Sequence, residues 1–418
     1  MLIEFSVENF RSFRERQTFS MVAAPRLRKR NCVFRPDVLG ERMPELLKVA
    51  AIYGPNASGK SNLIQALALL KTLIASSVSD KRPLPVKPFR FDTNLADKPT
   101  RIEVNFIASK CRYQFEVALT ETRIVEERLI SYPRGKETLL YERLYDGENE
   151  HYRTDGLEGE SELHTVWKKL TPPKSLFISR AVENSSEEMK QLRIPYQWLY
   201  SGTLPVGDNL TPLERSLQAV GAKMPTIVKN LAKYLQEIDV PVTNIVFETE
   251  DDQTERGENL DYSKEELMDD IQQALSGEVK HKTTFTHRTA LGEMDFDLKE
   301  ESKGTRSLMG FYIPWMLLPN GIVIVDEMDS SLHPKLVENL VKKHISGTGV
   351  GQLIFTTHDT HLMDTKLLRR DQLWLTERDM NGATQLRSVH DFAGREDEDV
   401  EKRYYEGRYR GLPILRSE

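Results

Sequence analysis

The stretch GPNASGKS at residues 54–61 decides the fold class of this chain. It follows an apolar run at 47–53 and precedes apolar residues at helical spacing, so a strand, a glycine-rich loop and a helix are expected in that order. Glycines let backbone N–H groups turn inward, and a helix N-terminus attracts anions. The pattern therefore predicts a phosphate-binding loop. Its expected contacts are Gly54, Pro55, Asn56, Ala57, Ser58, Gly59, Lys60, Ser61 and Asn62.

Two side chains of this loop, called the P-loop below, have separate predicted roles. Lys60 places a positive charge between the β- and γ-phosphates of a nucleotide, and the Ser61 hydroxyl is a ligand for Mg²⁺. A chance glycine-rich loop is the alternative, which the strand and the helix on either side disfavour. The predicted cofactors are therefore ATP and Mg²⁺.

A second apolar run, at 321–325, ends in the acidic pair Asp326 and Glu327. A continuous apolar run predicts a strand buried on both faces of a parallel sheet, and ligand chemistry in such sheets gathers at the carboxyl ends of the strands. We predict that Asp326 orients Mg²⁺, directly or through water, and that Glu327 polarises the attacking water. An acidic turn after a core strand is the alternative interpretation.

Two more polar segments belong to the same pattern. His358 follows a predicted buried strand that begins at residue 352, where it is positioned to contact a γ-phosphate oxygen. A single histidine is more often structural, so its position supports the role rather than its identity. Ser302, Gly304 and Thr305 open a predicted helix, where they form either an anion-binding corner or only a helix cap.

Length and composition limit the class of protein. The chain has 418 residues, which allows two or three domains or one large core with an insertion, and a net charge of −6, which provides no global basic field for nucleic acid. Local basic runs at 26–30 and 280–282 leave DNA binding open. The two cysteines lie far apart and predict reduced thiols. Because the first residues do not resemble a signal peptide and no apolar run matches a membrane span, a cytoplasmic protein without membrane contact is expected.

Hydrophobic periodicity predicts the remaining elements. Strands are expected within 2–22 on both sides of a turn at 9–12, at 101–107, 112–119, 123–130 and 176–179, and within 283–298. Helices are expected from the P-loop to about residue 77 and within 185–240, including 213–217 and 227–237. The acidic stretch at 248–258 is expected to be a solvated loop.

The order of these motifs resembles the ABC-type ATPases. In that comparison, Ser302, Gly304 and Thr305 correspond to the signature motif, residues 330–333 to the D-loop and His358 to the switch histidine. The start IEFSVENFRSF at 3–13 resembles the SMC/RecF-like branch, in which the basic residue after Asn-Phe approaches the nucleotide; here that residue is Arg11. Nearly the whole chain is similar to phage-defence ATPases of the AbiL/RloA type, which are related to the ATPase parts of OLD and RloC proteins. The motifs that carry this resemblance lie at residues 9–13, 175–181, 326–334, 356–359 and 402–413.

The resemblance implies an α/β P-loop NTPase with ABC-ATPase head architecture, an attached antiparallel β subdomain and an inserted, mainly helical region. Residues 1–183 and 286–418 would form the two parts of the ATPase core, and 184–285 a helical arm, a partner platform or a passive extension. Two positions depart from the family pattern. Glu183 stands near the place of a Q-loop glutamine, and Arg410 stands where relatives have a small residue.

The resemblance also implies partners. Because the P-loop and the signature motif lie on opposite sides of an ABC-type domain, two copies would sandwich two ATP molecules, with Ser302 and Gly304 of one copy facing the phosphate held by Lys60 of the other. A separately encoded effector such as an RloB-like nuclease would complete a phage-defence system. The alternative is a RecF/SMC-like clamp that closes on DNA with ATP.

Overall fold

The computed structural model describes residues 1–75, 82–206, 221, 225–238, 240–249, 281–317, 320–347, 349–396 and 398–412. The predicted helical stretch at 213–217, residues 250–258 of the acidic stretch and Lys280 lie outside these residues. The chain forms two compact units. The first comprises Met1–Pro205, Asn320–Asp326 and Leu340–Glu418, and the second comprises Val206–Pro319 and Glu327–Asn339.

The described elements follow one another along the chain. The strands are β1 (Leu2–Glu8), β2 (Gln17–Ser20), β3 (Val33–Phe34), β4 (Leu46–Leu47), β5 (Val49–Tyr53), β6 (Thr100–Ala108), β7 (Cys111–Leu119), β8 (Ile124–Tyr132), β9 (Thr138–Tyr145), β10 (Glu150–Arg153), β11 (Thr203–Val206), β12 (Val242–Thr249), β13 (His281–Thr289), β14 (Gly292–Asp297), β15 (Ile322–Val325), β16 (Gln352–Thr356), β17 (Leu373–Arg378) and β18 (Thr384–Ser388). The α-helices are α1 (Lys60–Ile74), α2 (Ser161–Lys169), α3 (Phe177–Glu183), α4 (Lys190–Ser201), α5 (Pro225–Glu237), α6 (Lys303–Leu317), α7 (Pro334–Ser346) and α8 (Val400–Tyr405).

A seven-stranded sheet in the first unit has the order β10-β9-β8-β7-β6-β1-β2, and its pairs are antiparallel. Buried and half-buried residues alternate along most of β6, as expected for a strand with one face on the core. The structure confirms the antiparallel sheet predicted from residues 101–130. It also places the two N-terminal strands in that same sheet.

A six-stranded sheet holds the P-loop strand and has the order β11-β15-β16-β5-β17-β18. Its strands β15, β16, β5 and β17 are parallel, and β18 returns antiparallel. Every residue of β5, β15 and β16 is buried, which is the property of a parallel sheet covered on both faces. Both apolar runs that precede polar site residues are thus confirmed as parallel strands.

A buried amide connects the seven-stranded sheet to the six-stranded sheet. Gln352 at the start of β16 is fully buried; its Oε1 accepts the backbone N–H of Leu2 at 2.6 Å, and its Nε2 donates to the Leu2 carbonyl at 2.9 Å. The Gln352 side chain therefore pairs with the backbone N–H and C=O of Leu2, as a neighbouring strand would, and joins the antiparallel sheet to the parallel sheet. A buried amide with satisfied hydrogen bonds fixes this arrangement more firmly than an apolar contact would.

The strand predicted at 176–179 is wrong: Phe177 begins the helix α3. Both carboxylate oxygens of the fully buried Glu127 accept N–H groups of its first turn, from Phe177 at 2.7 Å and from Ile178 at 3.1 Å. The Arg143 guanidinium donates to the Ser175 carbonyl at 2.8 Å, which fixes the approach to the helix. A tertiary cap from a distant strand therefore overrides the local β preference of this apolar segment.

The second unit contains a three-stranded antiparallel sheet, β12-β13-β14, whose strands β13 and β14 confirm the prediction within 283–298. The helix α5 confirms the prediction at 227–237. In the described part of the segment predicted to be mainly helical, strands therefore accompany helices. Residues 184–205 of that segment lie in the first unit, where α4 packs against α1 and α3.

Candidate active site

The P-loop begins where β5 ends, and its two glycines adopt backbone angles that other residues avoid. Gly54 has φ 151° and Gly59 has φ 109°. A Cβ added to Gly54 would lie 2.3 Å from Oγ1 of Thr376, and one added to Gly59 would lie 2.1 Å from Oγ1 of Thr384. Both positions therefore need glycine for conformation and for space.

Hydroxyl groups from β17, β18 and the N-terminal turn form a hydrogen-bonded set that supports the P-loop. The Thr384 hydroxyl of β18 donates to the Ser58 carbonyl at 2.7 Å and lies 2.7 Å from the Ser12 hydroxyl. Asn62, in the first turn of α1, donates to the same Ser12 hydroxyl at 2.7 Å. The Ser58 hydroxyl lies 2.5 Å from that of Thr376 on β17. The loop is thus held by β17, β18 and the N-terminal turn, and its tip at residues 56–57 stays exposed.

The start of α1 offers an anion-binding end. Gly59 occupies its N-cap and no side chain caps the helix, so the first-turn N–H groups are directed along the helix axis toward the loop. Lys60 is buried, and its ammonium group donates to the carbonyls of Gly54 at 2.8 Å and Pro55 at 3.2 Å. These bonds hold the positive charge within the curve of the loop. Ser61 follows, half-buried, on the same turn.

Asp326 stands directly after β15 and is held from the neighbouring strand. The Thr356 hydroxyl, at the end of β16, donates to Oδ1 of Asp326 at 2.6 Å. The aspartate is half-buried, so its second oxygen keeps acceptor capacity for a cation or a water. A carboxylate with this single orienting bond suits a hard cation that takes oxygen ligands.

His358 is exposed in the segment that leaves β16. The residues on both sides of it are hydrogen-bonded. The Thr357 backbone N–H donates to the Ile52 carbonyl of β5 at 3.1 Å, and the Asp359 N–H donates to the Thr357 hydroxyl at 2.9 Å. The segment that carries the histidine is therefore tied to the strand that carries the P-loop.

The parallel sheet brings these three features to one edge. The strand β16 lies between β5 and β15, and the carboxyl ends of all three reach the same edge, with Val325 opposite Phe355 and Thr356 opposite Ile52. Neighbouring strands lie about 4.8 Å apart, so the P-loop and Asp326 start about two strand spacings from each other. The carboxyl edge of a parallel sheet is where α/β proteins bind ligands.

The residues present fit a nucleotide with a divalent cation. An uncapped helix N-terminus and a buried ammonium group suit phosphate oxygens, and the hydroxyl of Ser61 with the carboxylate of Asp326 supplies the hard oxygen ligands that Mg²⁺ prefers. Mg²⁺ in nucleotide sites is held by one or two protein oxygens together with phosphates, so a small protein ligand set is expected.

Arg11 lies in the turn between β1 and β2. The neighbouring Asn9 organises this turn, because its amide donates to the Leu95 and Lys98 carbonyls at 3.0 and 2.9 Å. Arg11 itself is exposed and has φ 52°, and its guanidinium lies 5.6 Å from the centre of the Phe10 ring. The turn thus presents one exposed cation beside Ser12, which supports the P-loop.

The signature-like residues belong to the second unit, where they begin α6. The Ser302 hydroxyl accepts the backbone N–H of Thr305 at 3.0 Å and lies 2.9 Å from the Thr305 hydroxyl, so it caps the helix. A Cβ on Gly304 would lie 2.8 Å from the Ser331 carbonyl, so the D-loop-like segment packs against a residue that has no side chain. The structure therefore shows a helix cap at Ser302, and the predicted anion-binding role stays a prediction.

Glu327 opens a tight turn at the start of the D-loop-like segment. Its φ is 50°, a left-handed angle that few residues other than glycine adopt, and its carbonyl accepts the Ser330 N–H at 2.9 Å. The side chain is exposed. Backbone strain of this kind is retained where the surrounding structure fixes a functional geometry, which makes Glu327 a candidate with structural support.

Two positions that depart from the family pattern have local explanations. The Glu183 carboxylate accepts from the Arg180 guanidinium at 2.5 Å at the end of α3. Arg410 has φ 58°, an angle that glycine adopts at no cost, and this explains why a small residue is favoured there.

The basic run at 26–30 has acidic neighbours. Arg28 lies 3.8 Å from the Glu396 carboxylate, and Arg30 lies 3.8 Å from the Glu45 carboxylate.

The sequence alone does not identify the supporting hydroxyl groups. Thr356 follows a predicted strand and is a candidate by position, but single threonines such as Thr376 and Thr384 show no pattern. Ser12 is part of the quoted N-terminal motif, so the sequence could have suggested it as well. In the part of the chain that the structure describes, each helix is too short or too polar to span a bilayer.

Two solved structures are similar to this chain over most of its length. The SMC head domain from Thermotoga maritima is 15% identical to this chain. The alignment covers 93% of this chain and 98% of that domain, with a TM-score of 0.40. The SmcHead bound to the C-winged helix domain of ScpA is 13% identical, with coverage of 93% and 99% and a TM-score of 0.48. No curated protein matches the sequence.

A family match covers most of the chain, including the P-loop, Asp326 and His358. Residues 49–165 and 169–364 match the family described as "AAA domain, putative AbiEii toxin, Type IV TA system". The α/β fold with a P-loop after a parallel strand and an attached antiparallel sheet is as predicted from the sequence, and the ABC-type head architecture stays a prediction. The chain therefore belongs to this AAA-domain family.

Proposed function

We propose that the chain binds ATP with Mg²⁺ at the P-loop and hydrolyses it. The observation that carries this proposal is the convergence of the P-loop, Asp326 and the His358 segment on one edge of the parallel sheet. Each follows the carboxyl end of its own strand. A fold that gathers a buried lysine, an oriented carboxylate and a histidine at such an edge has the parts needed for phosphoryl chemistry.

Each residue then has one role. Lys60 and the N–H groups of α1 hold the β- and γ-phosphates, with Arg11 as a further cation. Ser61 and Asp326 hold the cation, and bound Mg²⁺ supplies positive charge that neutralises phosphate oxygens. Glu327 orients and polarises the water, and His358 contacts the γ-phosphate. Catalysis of this reaction depends on positioning and charge, which suits a site built from fixed loops.

We further propose that two copies close on ATP. In this arrangement Ser302, Gly304 and Thr305 of one copy contact the phosphates held by the P-loop of the other. Two observations support it. Ser302 is exposed at the N-terminus of a helix of fifteen residues, and the motif order resembles proteins that form such sandwiches.

The biological role that we propose is phage defence. The family description names a toxin of a toxin–antitoxin system, and the N-terminal and C-terminal motifs resemble the AbiL/RloA type. Closure would then signal to a separate cytoplasmic effector such as an RloB-like nuclease, with the insertion at 184–285 as its platform. We favour this role over a DNA clamp, because Glu45 and Glu396 offset part of the basic run at 26–30.

The experiment that tests the proposed activity compares the wild-type chain with Lys60→Ala. We expect wild type to bind ATP in calorimetry and to release phosphate when Mg²⁺ is present, and we expect Lys60→Ala to do neither. The matched control is Lys169→Ala, because Lys169 is exposed at the end of α2. ATP binding by Lys60→Ala at wild-type affinity would overturn the assignment.

A further inference from the structure

We propose that Glu401, on the helix α8 near the C-terminus, is a positioning residue for His358. The inference rests on the proposed ATPase function and deepens it. The C-terminal segment shows no catalytic motif in the sequence. The structure nevertheless connects it by hydrogen bonds to the segment that carries the histidine.

The connection runs through Thr360, two residues after His358. The Thr360 hydroxyl donates to Oε1 of Glu401 at 2.6 Å and lies 3.0 Å from the Tyr405 hydroxyl. A hydrogen bond to a charged carboxylate is shorter and stronger than one between neutral groups. The 3-10 helix Thr360–Met363 is thereby held against α8 at its first residue.

The other end of the segment is held as well. Thr356 donates to Asp326 at 2.6 Å, and the Thr357 N–H donates to Ile52 of β5 at 3.1 Å. Only His358 and Asp359 separate these contacts from Thr360. The position of His358 is therefore set from two sides, by the sheet before it and by α8 after it.

Asp359 links His358 to the contact between Thr360 and α8. Its side chain is 6% exposed, and its Oδ1 accepts the His361 backbone N–H at 3.1 Å, so it caps the 3-10 helix that Thr360 begins. A shift of Thr360 would displace Asp359, which is joined to His358 by a peptide bond. His358 is exposed between these ordered neighbours, which leaves its ring accessible to a ligand.

The helix α8 is itself anchored, as a positioning element must be. Asp399 caps it by accepting the Lys402 N–H at 2.9 Å, and Val400 and Tyr404 are buried. The Tyr404 hydroxyl donates to the Gly411 carbonyl at 2.7 Å. Glu401 therefore projects from a short helix that is fixed by its cap, its buried residues and the chain that follows.

The test compares Glu401→Ala and Glu401→Gln in single-turnover ATP hydrolysis, with ATP affinity and melting temperature measured on the same proteins. We expect Glu401→Ala to lower the rate about 10-fold or more, with unchanged ATP affinity, because a displacement of about 1 Å can cost about 100-fold in rate. Glu401→Gln keeps an oxygen that accepts from Thr360, so it should retain most of the rate. Glu406→Ala, which removes an exposed carboxylate at the end of α8, is the matched control.

A double substitution separates positioning from a general effect on folding. If Glu401 acts through His358, adding Glu401→Ala to His358→Ala should lower the residual rate by less than twofold. An equal loss in both backgrounds would overturn the inference, as would an unchanged rate in the single variant. Failure of the proposed function looks different, because the wild-type chain would then hydrolyse no ATP.

Discussion

The hydroxyl of Thr356 donates a 2.6 Å hydrogen bond to the carboxylate of Asp326 across two adjacent parallel strands. The two residues are 30 positions apart, and each stands at the carboxyl end of its strand. The bond fixes one oxygen of the carboxylate that we assign to Mg²⁺. It links the parallel sheet directly to the proposed cation site.

Thr356→Val should weaken the cation site. Valine keeps the shape but removes the donor, and a hydrogen bond to a charged group contributes about 1.5–3 kcal/mol. We expect kcat/KM to fall about 10-fold or more and the Mg²⁺ concentration for half-maximal hydrolysis to rise. A Mg²⁺ titration measures this, with Thr122→Val on an exposed hairpin as control. An unchanged titration curve would show that the bond does not orient the ligand.

Gly59→Ala should abolish nucleotide binding and destabilise the fold. Alanine at φ 109° is strained, at a cost of about 1–3 kcal/mol, and its Cβ would also lie 2.1 Å from Oγ1 of Thr384. Gly147→Ala is a close control, because Gly147 has φ 111° with no atom within 4 Å of the added Cβ. Calorimetry and thermal melting separate the two effects. Equal losses in both variants would mean that strain alone, and not the contact with Thr384, is responsible.

Glu127→Ala should destabilise the first unit strongly. The substitution leaves the N–H groups of Phe177 and Ile178 without their acceptor and removes the buried counter-ion of Arg143, 3.9 Å away. Breaking a buried pair in this way costs about 3–5 kcal/mol. Glu142→Ala, which removes a more exposed partner of Arg128, should cost less than about 1 kcal/mol. Denaturant unfolding of both variants provides the comparison, and a similar midpoint would contradict the assigned cap.

Stability should fall with acid in a window set by His344. Burial lowers the pKa of His344 from 6.5 to about 4, and its Nε2 donates to the Gly351 carbonyl at 3.1 Å. Between pH 4 and pH 6.5, His344 is therefore protonated more often in the unfolded chain than in the folded chain. Its contribution to the free energy of unfolding is fully present above pH 6.5 and is lost as the pH falls toward 4. His344→Gln should flatten this dependence in melting temperature, whereas substitution of the exposed His390 should not. A pH profile that His344→Gln leaves unaltered would contradict this.

Much of the first unit could be predicted because its signals are local. The P-loop and the apolar runs before Asp326 and His358 have patterns that span a few residues, and parallel strands made their convergence an expectation. The strand predicted at 176–179 was wrong because Glu127, fifty residues earlier, caps a helix there. Thr384 and Glu401 were not found for a similar reason. Each acts through one contact with a residue remote in sequence, and no periodicity marks such a contact.

The central claim is that ATP closes two copies of this chain on each other. The most direct test is the molar mass of Glu327→Gln in light scattering with ATP and Mg²⁺, because this variant should bind ATP without hydrolysing it. We predict an increase from 48.1 kDa to twice that value with ATP, and none when Ser302→Ala is added. A variant that binds ATP and keeps the mass of a single chain would contradict the claim.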